Sequence, residues 1–438
     1  MTHRIRSTYH HLYLSITLRF RSRLLLSFIY WLLFLNTHWA VALAQEQKCI
    51  LNSNVIQGDP SLELHTALND VVVQHLLLDI AQKPRTKEYL NSALQKTNSS
   101  LEQLLSLKLV RHQEDIYVVN YLLFTSADMY RMREITESHA QKLANALLKH
   151  RAEIEVILKQ YELPGVDPRT ALYIILGCFS LDWDGLALTA ERGYRLRETE
   201  DTCTIVYSWE PTKLSNKEFY NGSHNSSYGI VTLTSFGDHE IQPREALPDI
   251  LWNLPRQATQ GKYSDTLKLK LKEVVNVVVE DIGEQIGLMM LALRDGGKSV
   301  AELAAAAKIR QDKAERLTDL LTELGYIKQD DNYYLPHIPV LSLCDSSMVQ
   351  QIRRIGREEM ENWFDSEYEQ LHKELSELTP FRYGVEQKDF FYNVWHDIFG
   401  ATNRILVKAG LFADPYSKLY GAKGIIPVVF HNSLYDKP

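Results

Sequence analysis

Apolar positions along the chain fall at helical spacing in long stretches and at strand spacing in short ones, and the same series of stretches occurs twice. In the second half, Glu284 to Leu293 has helical periodicity, and Asp295-Gly296-Gly297 stops it with residues that tolerate positive φ. Ser299 with Glu302 predicts a capping box for a helix from Val300 to Ala307. Asp312 with Glu315 predicts the cap of a third helix, which carries Leu317, Leu320, Leu321 and Leu324 on one face. Gly325 ends that helix, and Tyr326-Ile327, a polar turn from Lys328 to Asn332, and Tyr333 to Leu335 predict a hairpin. The first half runs in parallel. Val71 to Ala81 is its leading helix, Pro84 and Thr86 open the second, and Ser99 with Glu102 caps the third. Its hairpin is Leu109-Val110, a turn from His112 to Asp115, and Ile116 to Val119.

Each hairpin leads into a long amphipathic helix, Asp128 to Tyr161 and Ser346 to Leu378, with breaks at Pro164 and Pro168 or at Pro380. A second, apolar helix follows in each case, Arg169 to Arg192 and Gln387 to Lys408. The parallel extends to individual residues. Residues 117 to 193 align without a gap on 334 to 410, with Tyr117 on Tyr334, Asp128 on Asp345, Ile135 on Ile352 and Gly193 on Gly410. The helix caps match at an offset of 213 and the hairpins at 217, so the third helix is expected to be four residues, about one turn, longer in the second copy. Between the copies, Thr202 to Ser208 and Gly229 to Phe236 alternate like strands around a polar loop from Glu210 to Ser227. The second copy has one counterpart strand, Gly424 to Phe430, and residues 256 to 280 predict a connecting helix.

The run from Ser299-Val300-Ala301-Glu302-Leu303-Ala304 to Leu324-Gly325-Tyr326-Ile327 resembles the winged-helix domains of ArsR- and MarR-type transcriptional regulators. The resemblance covers about 55 residues closely, and a similar stretch of the first copy loosely. It implies an α+β fold, mainly α with small β elements, built as two tandem winged-helix plus long-helix modules. Because such modules commonly act as homodimers, the tandem arrangement implies an intramolecular pseudo-dimer. It also implies a third helix for the DNA major groove and a wing for phosphate, which here would use Lys313, Arg316, Lys328 and Arg111. Around these cations stand Asp312, Glu315, Asp319, Glu323, Asp330, Asp331, Glu114 and Asp115, which would repel phosphate.

The first 44 residues change the expected compartment. Arg4, Arg6, Arg19, Arg21 and Arg23 precede an apolar run from Leu24 to Leu35, and Ala42-Leu43-Ala44 supplies small residues before Gln45. That order predicts a secretory signal peptide or an uncleaved signal anchor, with the rest of the chain outside the cytoplasm and membrane contact confined to this segment. Without those five arginines, 43 basic residues face 55 acidic ones, a net charge near −12. Such a body repels polyanions. Cys49, Cys178, Cys203 and Cys344 allow three full pairings in an oxidising compartment; Cys178 with Cys203 is the pair to test, against the alternative of buried free thiols.

No phosphate loop, paired metal-binding cysteines, His-Glu-x-x-His or nucleophile elbow occurs in the chain. Candidate site residues concentrate in the asymmetric middle: Asp182 and Asp184 in the apolar helix, His224 and Asn225 in the loop, Asp238 and His239 past a strand. Asp182 and Asp184 align on Phe399 and Ala401, so any site built on them belongs to one half. The expected organisation is a signal segment (1–44), a winged helix (62–124), a helical module (125–196) and a strand/loop insertion (197–262). A linker helix with a second winged helix (263–341), a second helical module (342–412) and a terminal strand (413–438) follow. The expected function is non-enzymatic binding of a protein or small ligand outside the cytoplasm, with no cofactor or metal. The alternatives are a DNA-binding regulator and, third, a hydrolase-like or metal-binding site in the insertion.

Overall fold

The computed structural model describes residues 50–195, 204–217, 219–241, 245–277, 281–418 and 423–435. The expected signal segment, Cys49 and Cys203 lie outside the described residues. In chain order, β1 (Asn52–Gln57), α1 (Leu62–Asn69), α2 (Val71–Gln82), α3 (Lys87–Leu94) and α4 (Leu101–Ser106) precede a hairpin, β2 (Val110–Gln113) and β3 (Ile116–Val119). Then come β4 (Leu122–Phe124), α5 (Ser126–Lys149), α6 (Arg151–Leu158), α7 (Pro168–Glu191) and β5 (Ile205–Trp209). The second half comprises β6 (Gly222–Tyr228), β7 (Val231–Gly237), α8 (Leu247–Leu251), α9 (Leu254–Gln260) and α10 (Asp265–Val277). It continues through α11 (Ile282–Leu293), α12 (Val300–Ala306), α13 (Gln311–Glu323), and a hairpin of β8 (Ile327–Asp330) with β9 (Tyr333–Pro336). β10 (Val340–Leu341), α14 (Ser346–Leu375), α15 (Phe391–Lys408) and β11 (Ile425–His431) complete it. Helix predominates and the sheets are small, a mixed α+β architecture.

The 217-residue correspondence recurs in local geometry. Thr125 and Asp128 close a capping box at the start of α5, and Ser342 and Asp345, 217 positions on, close another just before α14. Arg85 bridges Tyr117 in the first half as Lys298 bridges Tyr334 in the second. Gly193 and Gly410, just past α7 and α15, have φ of 71° and 73°, left-handed values that end both helices alike. β4 pairs in parallel with β5, and β10 in parallel with β11; each of these partners then pairs antiparallel with a strand from the start of its own half, β1 or β7.

Four helices join the halves. α5 packs on α14 and α15, and α14 packs on α7, so the first long helix of each half meets the second helix of the other. Indole N–H groups bind across these contacts: Trp363 donates to the carbonyl of His139 (3.2 Å) and Trp395 to that of Leu181 (2.8 Å). Close approach is permitted by Gly185, where a Cβ would lie 2.6 Å from the Trp395 ring, and by Gly356, where it would lie 2.8 Å from Leu176 and Ser180. α7 is long and apolar enough to cross a membrane, but it is buried among these helices. One extended core runs through the bundle and the second half; the first helical and hairpin unit has its own smaller core around Val73, Leu77, Leu90 and Leu104.

Several expectations are corrected. The cap of α4 is Ser100, which accepts from the Gln103 N–H, and not Ser99 with Glu102. α13 starts after Arg310 without a side-chain cap, in place of Asp312 with Glu315; it is 13 residues against 6 for α4, a difference of about two turns rather than one. The first long helix breaks at His150. The end of the expected loop from Glu210 to Ser227 is β6, and the connecting helix divides at Gly261. The strand/loop stretch 197–262 is shared out: β5 belongs to the sheet β1-β5-β4, and β6 and β7 to the sheet β10-β11-β7-β6. Cys178 is a buried free thiol and Cys344 an exposed one.

Candidate functional site

β1 and β5 build the first wall of a cleft. Their register sets Asn52 opposite Trp209 and Asn54 opposite Tyr207, and alternation along each strand puts these four residues on one face. The Tyr207 and Trp209 rings stack with centroids 5.0 Å apart at 17°, and Phe390 stands edge-on to Tyr207 at 5.4 Å. The start of α5 adds Met129, Met132 and Arg133; the chain between β5 and β6 adds Leu214, Asn216, Phe219 and Asn221; α15 adds Tyr392, Asn393, His396 and Asp397. Ser223, His224 and His239 close the far side. The enclosed volume is about 780 Å³, within the roughly 300–1,000 Å³ range of small-ligand sites.

Hydrogen bonds and burial constrain several of the charged and titratable groups. Arg133 donates to the Ser215 carbonyl (3.1 Å) and to Asn216 Oδ1 (2.5 Å), and its guanidinium lies 4.3 Å over the Phe219 ring. His396 Nδ1 donates to the Tyr392 carbonyl at 2.9 Å, which leaves Nε2 as the acceptor. Burial, with His239 and Arg195 nearby, lowers the His396 pKa to about 4. Asp182 lies beneath, 2% exposed, with Oδ1 3.9 Å from His396 Nε2. Burial raises its pKa to about 7 against a hydrogen bond from Ser223, and its Oδ2 has no partner. The pair is therefore a neutral carboxyl facing a neutral imidazole near pH 5 to 6, not an ion pair. Burial also raises Asp397 to about 6. Asn221 donates to the His396 carbonyl (3.1 Å), and its buried Oδ1 has no partner.

No protein-family model, curated protein or solved structure matches this chain.

The residues singled out in the sequence divide between the cleft and its surroundings. His224 and His239 line it, with His224 Nδ1 bonded to Asp249, and Asp182 lies at its base. Asp184 is elsewhere, in a buried two-pronged pair with Arg353 (2.8 and 3.0 Å). Asn225 accepts from Thr234 across the β6–β7 hairpin (2.8 Å), and Asp238 is buried against Tyr416. Among the described residues, no three His, Cys, Asp or Glu side chains are grouped to hold a metal ion. On the opposite end of the second half, α10 lies against α13; Glu273 pairs with Arg316 (3.8 Å) and Lys270 with Asp319 (3.2 Å). Arg111 donates to the Tyr383 carbonyl, and Lys328 Nζ lies by Gly165.

Trp209, Tyr207, His396, Asn221 and Ser223 escaped the sequence reading. Tyr207 and Trp209 were half of a strand whose partner, β1, is about 150 residues earlier. His396 carried a usable signal: it aligns on Phe179 at the 217 offset, as Asp182 aligns on Phe399. Each is a polar residue whose counterpart is phenylalanine.

Proposed function

We propose that the chain is an extracytoplasmic ligand-binding protein in which two tandem winged-helix plus helical modules form an intramolecular pseudo-dimer with one binding cleft. The observation that carries this reading is the cleft of about 780 Å³ at β1, β5 and α15, where aromatic rings, amides and imidazoles converge. The reciprocal packing of α5 on α15 and α14 on α7 supports the pseudo-dimer, since a two-fold relation pairs each first helix with the other half's second. The engagement of α13 by α10 supports a protein-binding or ligand role over a DNA-binding one, because Arg316 and Asp319 already have partners. The test is a thermal-shift screen of residues 45–438 against chemically varied small molecules, followed by titration of each hit with the Trp209→Ala variant. A hit abolished by that substitution supports the reading; no stabilising compound, or hits insensitive to Trp209, refutes it.

A second reading, acid–base catalysis, is favoured by the opposed shifts of Asp182 and His396 at one cleft base. It expects turnover of a cleft ligand that Asp182→Asn removes while binding persists. Ligand recovered unchanged after prolonged incubation with the wild-type chain removes it.

A further inference from the structure

We propose that the cleft takes a neutral oligosaccharide, with a pyranose ring seated on Tyr207 and Trp209 and its hydroxyls held by the asparagines around them; this rests on the ligand-binding reading above. A pyranose presents a flat C–H face and a rim of hydroxyls, each both donor and acceptor. Its recognition calls for a flat apolar platform edged by groups that also donate and accept, without unpaired charge to favour an ion.

The β1–β5 face meets those requirements in register. The two rings stack on one another along β5, leaving the outer ring face and the ring edges to the cleft, and Asn52 and Asn54 stand opposite them on β1, the Asn54 Oδ1 already accepting from the Val55 N–H (2.9 Å). A carboxamide supplies one acceptor and two donors, which matches a hydroxyl in either sense. Across the cleft, Asn393 and Asn221 add two more amides, and the buried Asn221 Oδ1 is an acceptor awaiting a donor. His396 Nε2 is a further bare acceptor, because its other ring nitrogen is committed to Tyr392. A ligand hydroxyl that donates to Asn221 Oδ1 gives that buried acceptor the partner the protein does not supply.

The cleft's guanidinium is not offered to an anion. The guanidinium that reaches the cleft, Arg133, is bound to Ser215 and Asn216 and lies over Phe219, so an anion would have to displace those contacts. A nucleoside would also stack on the rings, but it would use few of the amides spread on both walls. An extended chain of linked hexoses uses both the platform and the opposite wall.

The experiment is calorimetric titration of residues 45–438 with maltotetraose, cellotetraose and N-acetylchitotetraose, and in parallel with adenosine and tetra-alanine. The expected result is saturable binding of at least one tetrasaccharide. Trp209→Ala weakens it by about tenfold or more and Trp209→Phe by about threefold or less, since phenylalanine keeps a ring in place. Asn52 is exposed on β1, so Asn52→Ala leaves folding intact and weakens binding by about threefold or more. Tetrasaccharide binding unaffected by both Trp209→Ala and Asn52→Ala overturns the proposal. Binding of adenosine or tetra-alanine alone, lost in Trp209→Ala, overturns it while the ligand-binding reading stands. No binding of any tetrasaccharide overturns the proposal, and the thermal-shift screen then decides the ligand-binding reading.

Discussion

Asp182→Asn separates the burial cost of one carboxyl from everything else that titrates in the cleft. In the folded chain its pKa lies at about 7, against an ordinary 3.8. Between those values the folded state holds a proton that the unfolded state releases, so rising pH favours unfolding across that window and the loss is complete above about pH 7. Three pKa units at about 1.4 kcal/mol each put the full effect near 4 kcal/mol. His396 acts in the opposite sense. Its folded pKa of about 4 lies below the ordinary 6.5, so its contribution is present above 6.5 and is lost as pH falls toward 4, by about 3 kcal/mol. The two gradients share the window from pH 4 to 6.5 and largely cancel, and the wild-type curve alone is uninformative.

Asparagine at 182 keeps an oxygen for Ser223 and places an amide where Oδ2 had no partner. Any cost of that amide is independent of pH, so the diagnostic quantity is how the difference between the two proteins changes. Urea unfolding followed by circular dichroism at pH 4, 5, 6, 7 and 8 measures it. Relative to wild type, Asp182→Asn gains about 4 kcal/mol between pH 4 and pH 8, and Asp397, common to both, drops out. A difference that changes by less than about 1 kcal/mol over that range refutes the placement of Asp182 as a buried, proton-holding acid.

Three further outcomes follow from the packing. Arg353→Thr leaves Asp184 buried without its counter-charge and costs about 3–5 kcal/mol in urea unfolding, while Arg353→Thr with Asp184→Ala, which installs the residues found 217 positions away at Thr136 and Ala401, costs less than the single change; equal costs exclude a coupled pair. Gly185→Ala gains about 1 kcal/mol of helix propensity but drives a methyl into the Trp395 ring, costing about 1–3 kcal/mol, so melting temperature falls; a rise would mean that α15 yields at this contact. In fluorescence anisotropy at about 50–300 mM salt, labelled duplex DNA shows no saturable binding to the chain; tight binding that weakens with salt and is lost in Arg316→Glu would restore the regulator reading.

The parts that correspond between the halves were legible because their signals are local. The capping residue Ser299, the paired hairpins and the stop at Gly325 are read within a few residues of where they act. Nonlocal pairing was not legible. Asn52 to Gln57 carries few apolar residues and becomes a strand because β5 offers it an edge. Gly222 to Tyr228 reads as a loop because Ser223, His224, Asn225, Ser226 and Ser227 are all polar, yet as the edge strand beside fully buried β7 it needs no apolar face of its own. Half the site followed the same rule: His224, His239 and Asp182 stood out as polar residues in an asymmetric stretch, whereas Trp209 and Tyr207 became a platform only through pairing with β1.

Comparison of the two sheets explains why a cleft opens on one side. Because β4 and β10 correspond, their registers place Phe430 where Trp209 stands, and Thr232 and Thr234 where Asn52 and Asn54 stand. In the second half those positions are closed. Phe430 is buried and packs edge-on against Phe179 at 4.8 Å, and Phe179 is the counterpart of His396. Thr232 bonds to Asn432 and Ser227, and Thr234 to Asn225, so β6 and the chain after β11 satisfy the polar groups that the first half leaves facing the cleft. Where Phe430 packs on Phe179 on the closed side, their counterparts Trp209 and His396 both line the cleft, and the counterpart of Phe399 is the buried carboxyl of Asp182. Apolar pairs close a surface by excluding water; polar residues in the same positions must find partners or keep solvent. The side at β1 and β5 keeps the space, and in the proposed pseudo-dimer the presence of histidine and aspartate in place of phenylalanine is what distinguishes the open surface from the closed one.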